Sequence, residues 1–378
     1  MRSTVQASVL HGPRDLRLES RPLHPPSPTD VQLSILTTGL CGSDLHYYTH
    51  FRNGDILVRE PLTLGHESSG IVTGVGSGVT DLSVGDRVAL EVGQPCEECE
   101  LCASGRYNIC RGMKFRSSAK AFPHAQGTLQ EEIVMPARWV HKLPLEVSSE
   151  MGALVEPLAV ALHAAERGGL REEGKVLVFG AGAVGLLCAA VSKAVTRAGV
   201  VVVADIQEER VRFAVENGFA DGGVVVPMGK KAEGVEGRLA FAREVAELVK
   251  GLTVKGEVVG EVQGTYECTG VESCMQSAIY ATAPGGKIMI IGMGNPIQTL
   301  PISAASLREV DLVGVFRYAN TYPRVIELLA SKNPLLPDLT KLITQRFKGM
   351  DDIPKAFDMA ARVKDDEGNL VLKVVVDM

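Results

Sequence analysis

Val176-Leu177-Val178-Phe179-Gly180-Ala181-Gly182-Ala183-Val184-Gly185-Leu186-Leu187-Cys188-Ala189-Ala190 reads as an apolar strand, a glycine loop and an apolar helix. The first glycine permits a tight turn, the second lets backbone approach a pyrophosphate, and the third lets helix pack on strand. The helix start offers unpaired N–H groups and positive potential to an anion. A second strand, Val200-Val201-Val202-Val203-Ala204, runs into Asp205, 20 residues beyond Gly185. An acid at that distance suits ribose hydroxyls and repels a 2′-phosphate, which favours NAD over NADP. Gly180, Gly182, Ala183, Val184, Gly185 and Asp205 are therefore the expected cofactor contacts. Arg210 is a further one: it either stacks on adenine or faces solvent.

Strand and helix alternate around this loop. The pattern predicts a helix over 158–167, a strand at 175–180, a helix at 183–197, a strand at 200–204 and a helix at 208–217. Thr265–Cys268, Lys287–Ile291 and Val310–Val315 are further strand candidates. This is the pattern of an α/β domain with a doubly wound parallel sheet. Residues 1–150 read differently, as short β-type runs between Gly and Pro. Val31–Leu36, Gly70–Val75 and Arg87–Val92 are the clearest, and they predict a β-rich, barrel-like domain. Residues 227–263 resist placement; Gly229–Gly237 reads as a polar loop and Leu239–Leu248 as a helix. From 318 the alternation stops, and the chain is expected to return to the first domain.

The chemistry-bearing residues cluster in the β-rich part. Cys41 lies in Gly39-Leu40-Cys41-Gly42-Ser43-Asp44, His66 and Glu67 in Gly65-His66-Glu67-Ser68-Ser69-Gly70, and Glu156 in Leu154-Val155-Glu156-Pro157. One thiolate, one imidazole and two carboxylates suit a zinc ion with an open position, able to act as a Lewis acid. Glu67 is either a ligand or an outer partner. Cys96, Cys99, Cys102 and Cys110 have the spacing to wrap a second, closed, structural zinc in one loop. An iron–sulfur cluster is open on ligand type alone; the neighbouring catalytic motif favours zinc. Cys188, Cys268 and Cys274 sit in apolar patterns and read as buried, inert thiols.

Composition bounds the rest. The chain has 378 residues, 45% hydrophobic and 22% charged, with a net charge of −6. Nucleic acid is an unpromising partner for such a chain. No apolar run approaches the ~20 residues of a membrane span. Met1–Gln6 lacks the apolar core of an export signal, and Val376-Asp377-Met378 is no retention signal. Clustered cysteines without an export signal point to a reducing, cytoplasmic compartment.

Together these residues resemble the zinc-dependent medium-chain dehydrogenases, over nearly the whole chain. Gly65–Gly70 followed by Gly76 and Val79 resembles the zinc signature of that family, and Gly85-Asp86-Arg87-Val88 is typical of it. The resemblance implies a GroES-like catalytic domain over 1–157, with a structural-zinc lobe at 93–112. It implies a Rossmann coenzyme domain over 158–317 and a return to the catalytic domain over 318–378. Within the family the chain is similar to the polyol dehydrogenases acting on sorbitol, xylitol or L-arabinitol. Glu156-Pro157 stands where alcohol dehydrogenases carry a cysteine ligand. Ser43-Asp44-Leu45-His46-Tyr47-Tyr48 and Phe316-Arg317-Tyr318 resemble polyol-branch segments. Cys41, His66 and Glu67 then hold the catalytic zinc, with Glu156 bound directly or through water. Ser43, His46 and Glu156 carry the proton, and Tyr47, Phe115, Arg317 and Tyr318 line the substrate. The expected reaction takes a sugar alcohol to a ketose with NAD, in a homotetramer. A zinc alcohol or L-threonine dehydrogenase is the nearest rival. A non-catalytic nucleotide-binding protein ranks behind it, because the ligands and glycine loop are intact.

Overall fold

The computed structural model describes residues 4–228 and 234–378. The chain divides into two units: Met1–Ala159 with Ala319–Lys332 and Leu342–Met378, and Val160–Tyr318 with Asn333–Lys341. No helix among the described residues is long and apolar enough to cross a membrane.

In the first unit the strand Asp30–Gly39 is central. Val31, Leu33 and Ile35 are buried, as their period-two spacing demands. Glu67–Val75 and Glu132–Pro136 pair with it antiparallel, and so does the last strand, Lys373–Asp377. Register then decides the site. Gly39 faces Glu67 across the ladder, so Cys41, two residues on, comes beside His66 and Glu67. Val374 and Val376 of the last strand join Leu10, Leu64, Leu129 and Phe357 in one apolar core.

The second unit is built on a six-stranded parallel sheet. Its order is Gly222–Val225, Val200–Asp205, Lys175–Phe179, Val262–Glu267, Thr282–Ile290, Asp311–Gly314. Numbered along the chain this is 3-2-1-4-5-6, the doubly wound order. Its switch point falls between Lys175–Phe179 and Val262–Glu267, where ligands bind at the carboxyl ends. The glycine loop leads from there into the helix Ala183–Ala194. At Gly185 a Cβ would collide with the Gly180 carbonyl oxygen, so the third loop glycine is required by packing.

Several boundaries differ from the sequence expectation. The helix expected over 158–167 spans Val155–Gly168, so Glu156 lies in its first turn. The strand Gly222–Val225 was not anticipated. Its two glycines hide the β pattern, but a Cβ at Gly223 would strike Val211 of the helix Glu208–Glu216. Helix and strand approach too closely there for a side chain. The helix expected over Leu239–Leu248 runs from Gly234 to Lys250, taking in part of the expected loop; residues 229–233 of that loop lie outside the described residues. A short hairpin, Thr253–Val254 with Glu257–Val258, follows.

Candidate catalytic and structural metal centres

Cys41 caps the N-terminus of the helix Gly42–His50, and His66 immediately precedes the strand Glu67–Val75. Their ligand atoms and a Glu67 carboxylate oxygen all lie within 4.8 Å of one another. Asp44 organises the group. Its Oδ1 faces His66 Nδ1 at 3.2 Å and accepts from Gly65 N at 3.3 Å, while Oδ2 accepts from Cys41 N at 3.3 Å. With Nδ1 turned to the carboxylate, His66 presents Nε2 to a metal. Burial disfavours a charged imidazole, but Asp44 and then Cys41 outweigh it and hold the His66 pKa well above its usual value.

Glu67 has a partner that sequence reading missed. Lys373 Nζ donates to both its carboxylate oxygens, at 2.9 and 2.7 Å, and to the Leu40 carbonyl at 3.1 Å. All of Lys373 but 3% is buried. Burial disfavours its charge, yet Glu67 and Cys41 keep the ammonium pKa above its usual value. Each Glu67 oxygen is thus already engaged by a cation. Glu156 is buried and acts electrostatically on the same ammonium, but falls outside the set of converging ligand atoms. A thiolate, an imidazole nitrogen and a carboxylate at mutual ligand distances fit zinc by chemistry and geometry.

The other expected residues of this unit surround the group. Ser43 Oγ lies 3.5 Å from His66 Nε2. His46 is exposed, and partial desolvation followed by the neighbouring His50 lowers its pKa from the usual value. Tyr47 is 2% exposed and its hydroxyl accepts from Ala119 N at 3.3 Å, which places the ring in the core. The Phe115 ring sets its edge against His66, centroids 5.5 Å apart. In the second unit Arg317 takes a left-handed backbone and lies over the Phe316 ring at 4.6 Å, and Tyr318 is buried.

Cys96, Cys99, Cys102 and Cys110 carry free thiols, with sulfur–sulfur distances of 3.4, 3.5, 3.8 and 4.0 Å among them. A tetrahedron with Zn–S bonds of about 2.3 Å has edges of roughly 3.8 Å. The set fits one closed zinc. Two carboxylates moor this lobe. Glu91, 2% exposed, accepts from Tyr107 Oη at 2.6 Å and meets His141 Nε2 at 2.8 Å. Glu97 accepts from Trp139 Nε1 at 3.2 Å and from Arg138 at 2.5 Å. Asn320 N donates to Tyr107 Oη at 2.6 Å, tying the returning chain to the lobe.

In the second unit Asp205 holds the glycine loop. Its carboxylate accepts from Ala181 N at 2.7 Å and from Gln207 N at 2.8 Å. Arg210 leans on the loop: a Cβ at Gly182 would stand 3.8 Å from its Nη1. Its Nε is buried with no hydrogen-bond partner among the described residues, as are those of Arg21, Arg116 and Arg238. Cys188 is buried as expected, but Cys268 and Cys274 are only half-buried. They lie just past a strand end and in the first turn of a helix, where neighbours cover one side. Burial still pushes the Cys274 thiol up to about 11.

Asp44, Lys373 and Glu91 were not singled out in the sequence. Asp44 stands inside the Ser43–Tyr48 segment, three residues after a ligand. Lys373 had a signal of its own, a lone charge in Val371-Leu372-Lys373-Val374-Val375-Val376. Trp139, the chain's one tryptophan, packs on Tyr107 with centroids 5.1 Å apart, so its emission reports on the lobe. Cys99→Ser is expected to lower zinc from about two ions per subunit to about one. It is also expected to shift Trp139 emission and lower the denaturation midpoint. Metal analysis with fluorescence checks this; unchanged zinc content refutes the closed site.

Residues 27–145 match the alcohol dehydrogenase GroES-like domain, and residues 183–331 match the zinc-binding dehydrogenase domain. Sorbitol dehydrogenase of Homo sapiens is 43% identical over 340 residues, 90% of this chain and 88% of that protein. The Arabidopsis thaliana sorbitol dehydrogenase is 38% identical over 373 residues, 98% of this chain and 95% of that protein. Among solved structures, 2R,3R-butanediol dehydrogenase from Bacillus subtilis superposes with a TM-score of 0.80 at 28% identity, covering 99% of both chains. The open and closed ligand sets, the doubly wound nucleotide sheet and these likenesses agree: the chain belongs to the zinc-dependent medium-chain dehydrogenases, in their polyol dehydrogenase branch.

Proposed function

We propose that the protein oxidises a sugar alcohol of the sorbitol, xylitol or L-arabinitol type to a ketose, reducing NAD. The observation that carries this reading is the converging Cys41, His66 and Glu67 set, in a chain about 40% identical to sorbitol dehydrogenases over most of its length. When bound, zinc supplies Lewis-acid polarisation of a hydroxyl and NAD supplies the hydride acceptor. Cys41 and His66 hold the metal, with Glu67 or Glu156 as the carboxylate ligand; Glu156 alternatively acts through water. Gly180, Gly182, Ala183, Val184 and Gly185 cradle the pyrophosphate, with Asp205 on the ribose and Arg210 beside it.

The chain's own residues handle the proton and the remaining hydroxyls. Ser43, beside His66 Nε2, takes the proton released by the substrate hydroxyl and passes it to His46. His46 suits that role because it lies on the same helix, three residues after Ser43, and is exposed to the water that finally takes the proton. Glu156 offers the alternative route. Phe115 and Tyr47 shape the apolar wall, while Arg317 and Tyr318 grip further hydroxyls. Such polar groups discriminate strongly against substrates that lack the matching hydroxyl.

We further propose a cytoplasmic homotetramer. Asp311–Gly314 is an edge strand, and Ile297, Ile302 and Leu307 on the segments leading to it are exposed. An uncovered edge with apolar neighbours suits a second copy.

Three measurements test the reading. In a panel with NAD and NADP at fixed pH, sorbitol, xylitol or L-arabinitol is expected to turn over with NAD. Turnover of a simple alcohol or L-threonine, with none on any polyol, overturns the substrate assignment. Asp205→Ser with Ile206→Arg is expected to move the kcat/KM ratio toward NADP, since it removes the ribose acid and adds a cation. Because Asp205 also ties down Ala181, affinity for both cofactors should fall; an unchanged ratio refutes the ribose role. Arg317→Ala is expected to cost about 1.5–3 kcal/mol in polyol oxidation, roughly 10- to 150-fold in kcat/KM. A short monoalcohol has no further hydroxyl to lose, so an equal fall for both substrates removes Arg317 from the grip.

A further inference from the structure

Asp44 has one more partner, and it comes from far along the chain. Ser117 Oγ donates to Asp44 Oδ1 at 2.5 Å, across a separation of 73 residues. That same oxygen faces His66 Nδ1. Ser117 is 3% exposed and Asp44 is wholly buried, so no bulk water competes for the contact.

The backbone at Ser117 is unusual. Its φ is 64°, in the left-handed region that favours glycine. The turn is held on several sides. Ser117 N donates to Ala125 O at 2.9 Å, Ser118 N to Phe115 O at 3.1 Å and Arg116 N to Val92 O at 3.2 Å. The Arg116 guanidinium spans the turn, with Nη1 donating to Gln126 O at 3.0 Å and Nη2 to Val134 O at 2.7 Å. Glycine would take this conformation without strain. What serine adds in its place is a hydroxyl, and that hydroxyl points at the carboxylate behind a metal ligand.

We infer that Ser117 is a positioning residue of the catalytic metal centre: its hydroxyl locks the Asp44 carboxylate, which in turn fixes the imidazole plane of His66. The inference rests on zinc being held at Cys41 and His66. Ser117 touches neither metal nor substrate; it acts through Asp44. The other Asp44 contacts come from His66 itself and from backbone N–H groups of Gly65 and Cys41, the close neighbours of the ligands. Ser117 is the donor that fastens this carboxylate to a different part of the fold. Without it Asp44 can rock together with the ligand segments it is meant to hold. Outer partners of metal-bound histidines typically control affinity by about 10- to 100-fold.

The test compares Ser117→Ala and Ser117→Gly in the zinc-loaded enzyme. Alanine removes the hydroxyl and keeps the strained backbone; glycine removes the hydroxyl and relieves the strain. Zinc transfer to excess chelator is followed with time, and the visible absorption of cobalt-substituted protein reports ligand geometry. Both variants are expected to release the catalytic zinc about tenfold faster and to shift the cobalt bands. The four-cysteine zinc should leave at the wild-type rate. Wild-type release from both variants overturns the inference. So does fast release from the alanine variant alone, which would assign the effect to the backbone. Faster loss of both zincs would mark general loosening and also overturn it. Wild-type protein that binds only the four-cysteine zinc would refute the catalytic metal itself, and the inference with it.

Discussion

The buried ion pair between Lys373 and Glu67 is the constraint on which the catalytic centre depends. Its partners are 306 residues apart, in the last strand and in the strand that begins at the ligand pair. An ammonium and a carboxylate taken from water need close, complete pairing, and removing one partner of such a pair costs about 3–5 kcal/mol. Lys373 also holds the carbonyl before Cys41. One cation therefore fastens both ligand segments, and the centre is complete only when the C-terminal strand has docked. The fit is tight: a Cβ at Gly39 would collide with the Glu67 carboxylate.

The two metal centres solve different problems with different donors. The four cysteines have the spacing to close around one ion, which would leave no position for a substrate. That lobe has little apolar core of its own, so it is moored by polar contacts from Glu91 and Glu97 to Tyr107, Trp139 and His141. The Cys41, His66 and Glu67 set has fewer, mixed donors, so a fourth position is left for a further ligand. Its precision comes from behind, from Asp44 and Lys373, because open coordination cannot orient its own ligands.

Local chemistry was legible where it is encoded by neighbours in the chain. The glycine loop, Asp205 and the parallel strands around them follow from short-range pattern. So does the four-cysteine loop, whose ligands lie within 15 residues. The strand Gly222–Val225 escaped because its glycines answer to packing neighbours, Gly222 to Val254 and Leu252 and Gly223 to Val211, rather than to strand propensity. The helix Gly234–Lys250 starts earlier than expected, with an exposed first turn; its buried residues, Ala242, Val245, Ala246 and Val249, all lie in the later part that the sequence pattern shows.

The amino-acid sequence by itself determined the chemistry available: a thiolate, an imidazole and carboxylates in one set, four thiolates in another, and a glycine loop with an acid at the end of the next strand. Only the tertiary structure decided which of those groups meet, and what stands behind them. Glu67 faces Lys373, Glu156 is not among the converging ligand atoms, and Asp44 gathers His66, Cys41 and Ser117. Ligand types are properties of single residues and survive in the sequence. Second partners are set by strand register and by contacts between residues tens to hundreds of positions apart, which no local pattern records.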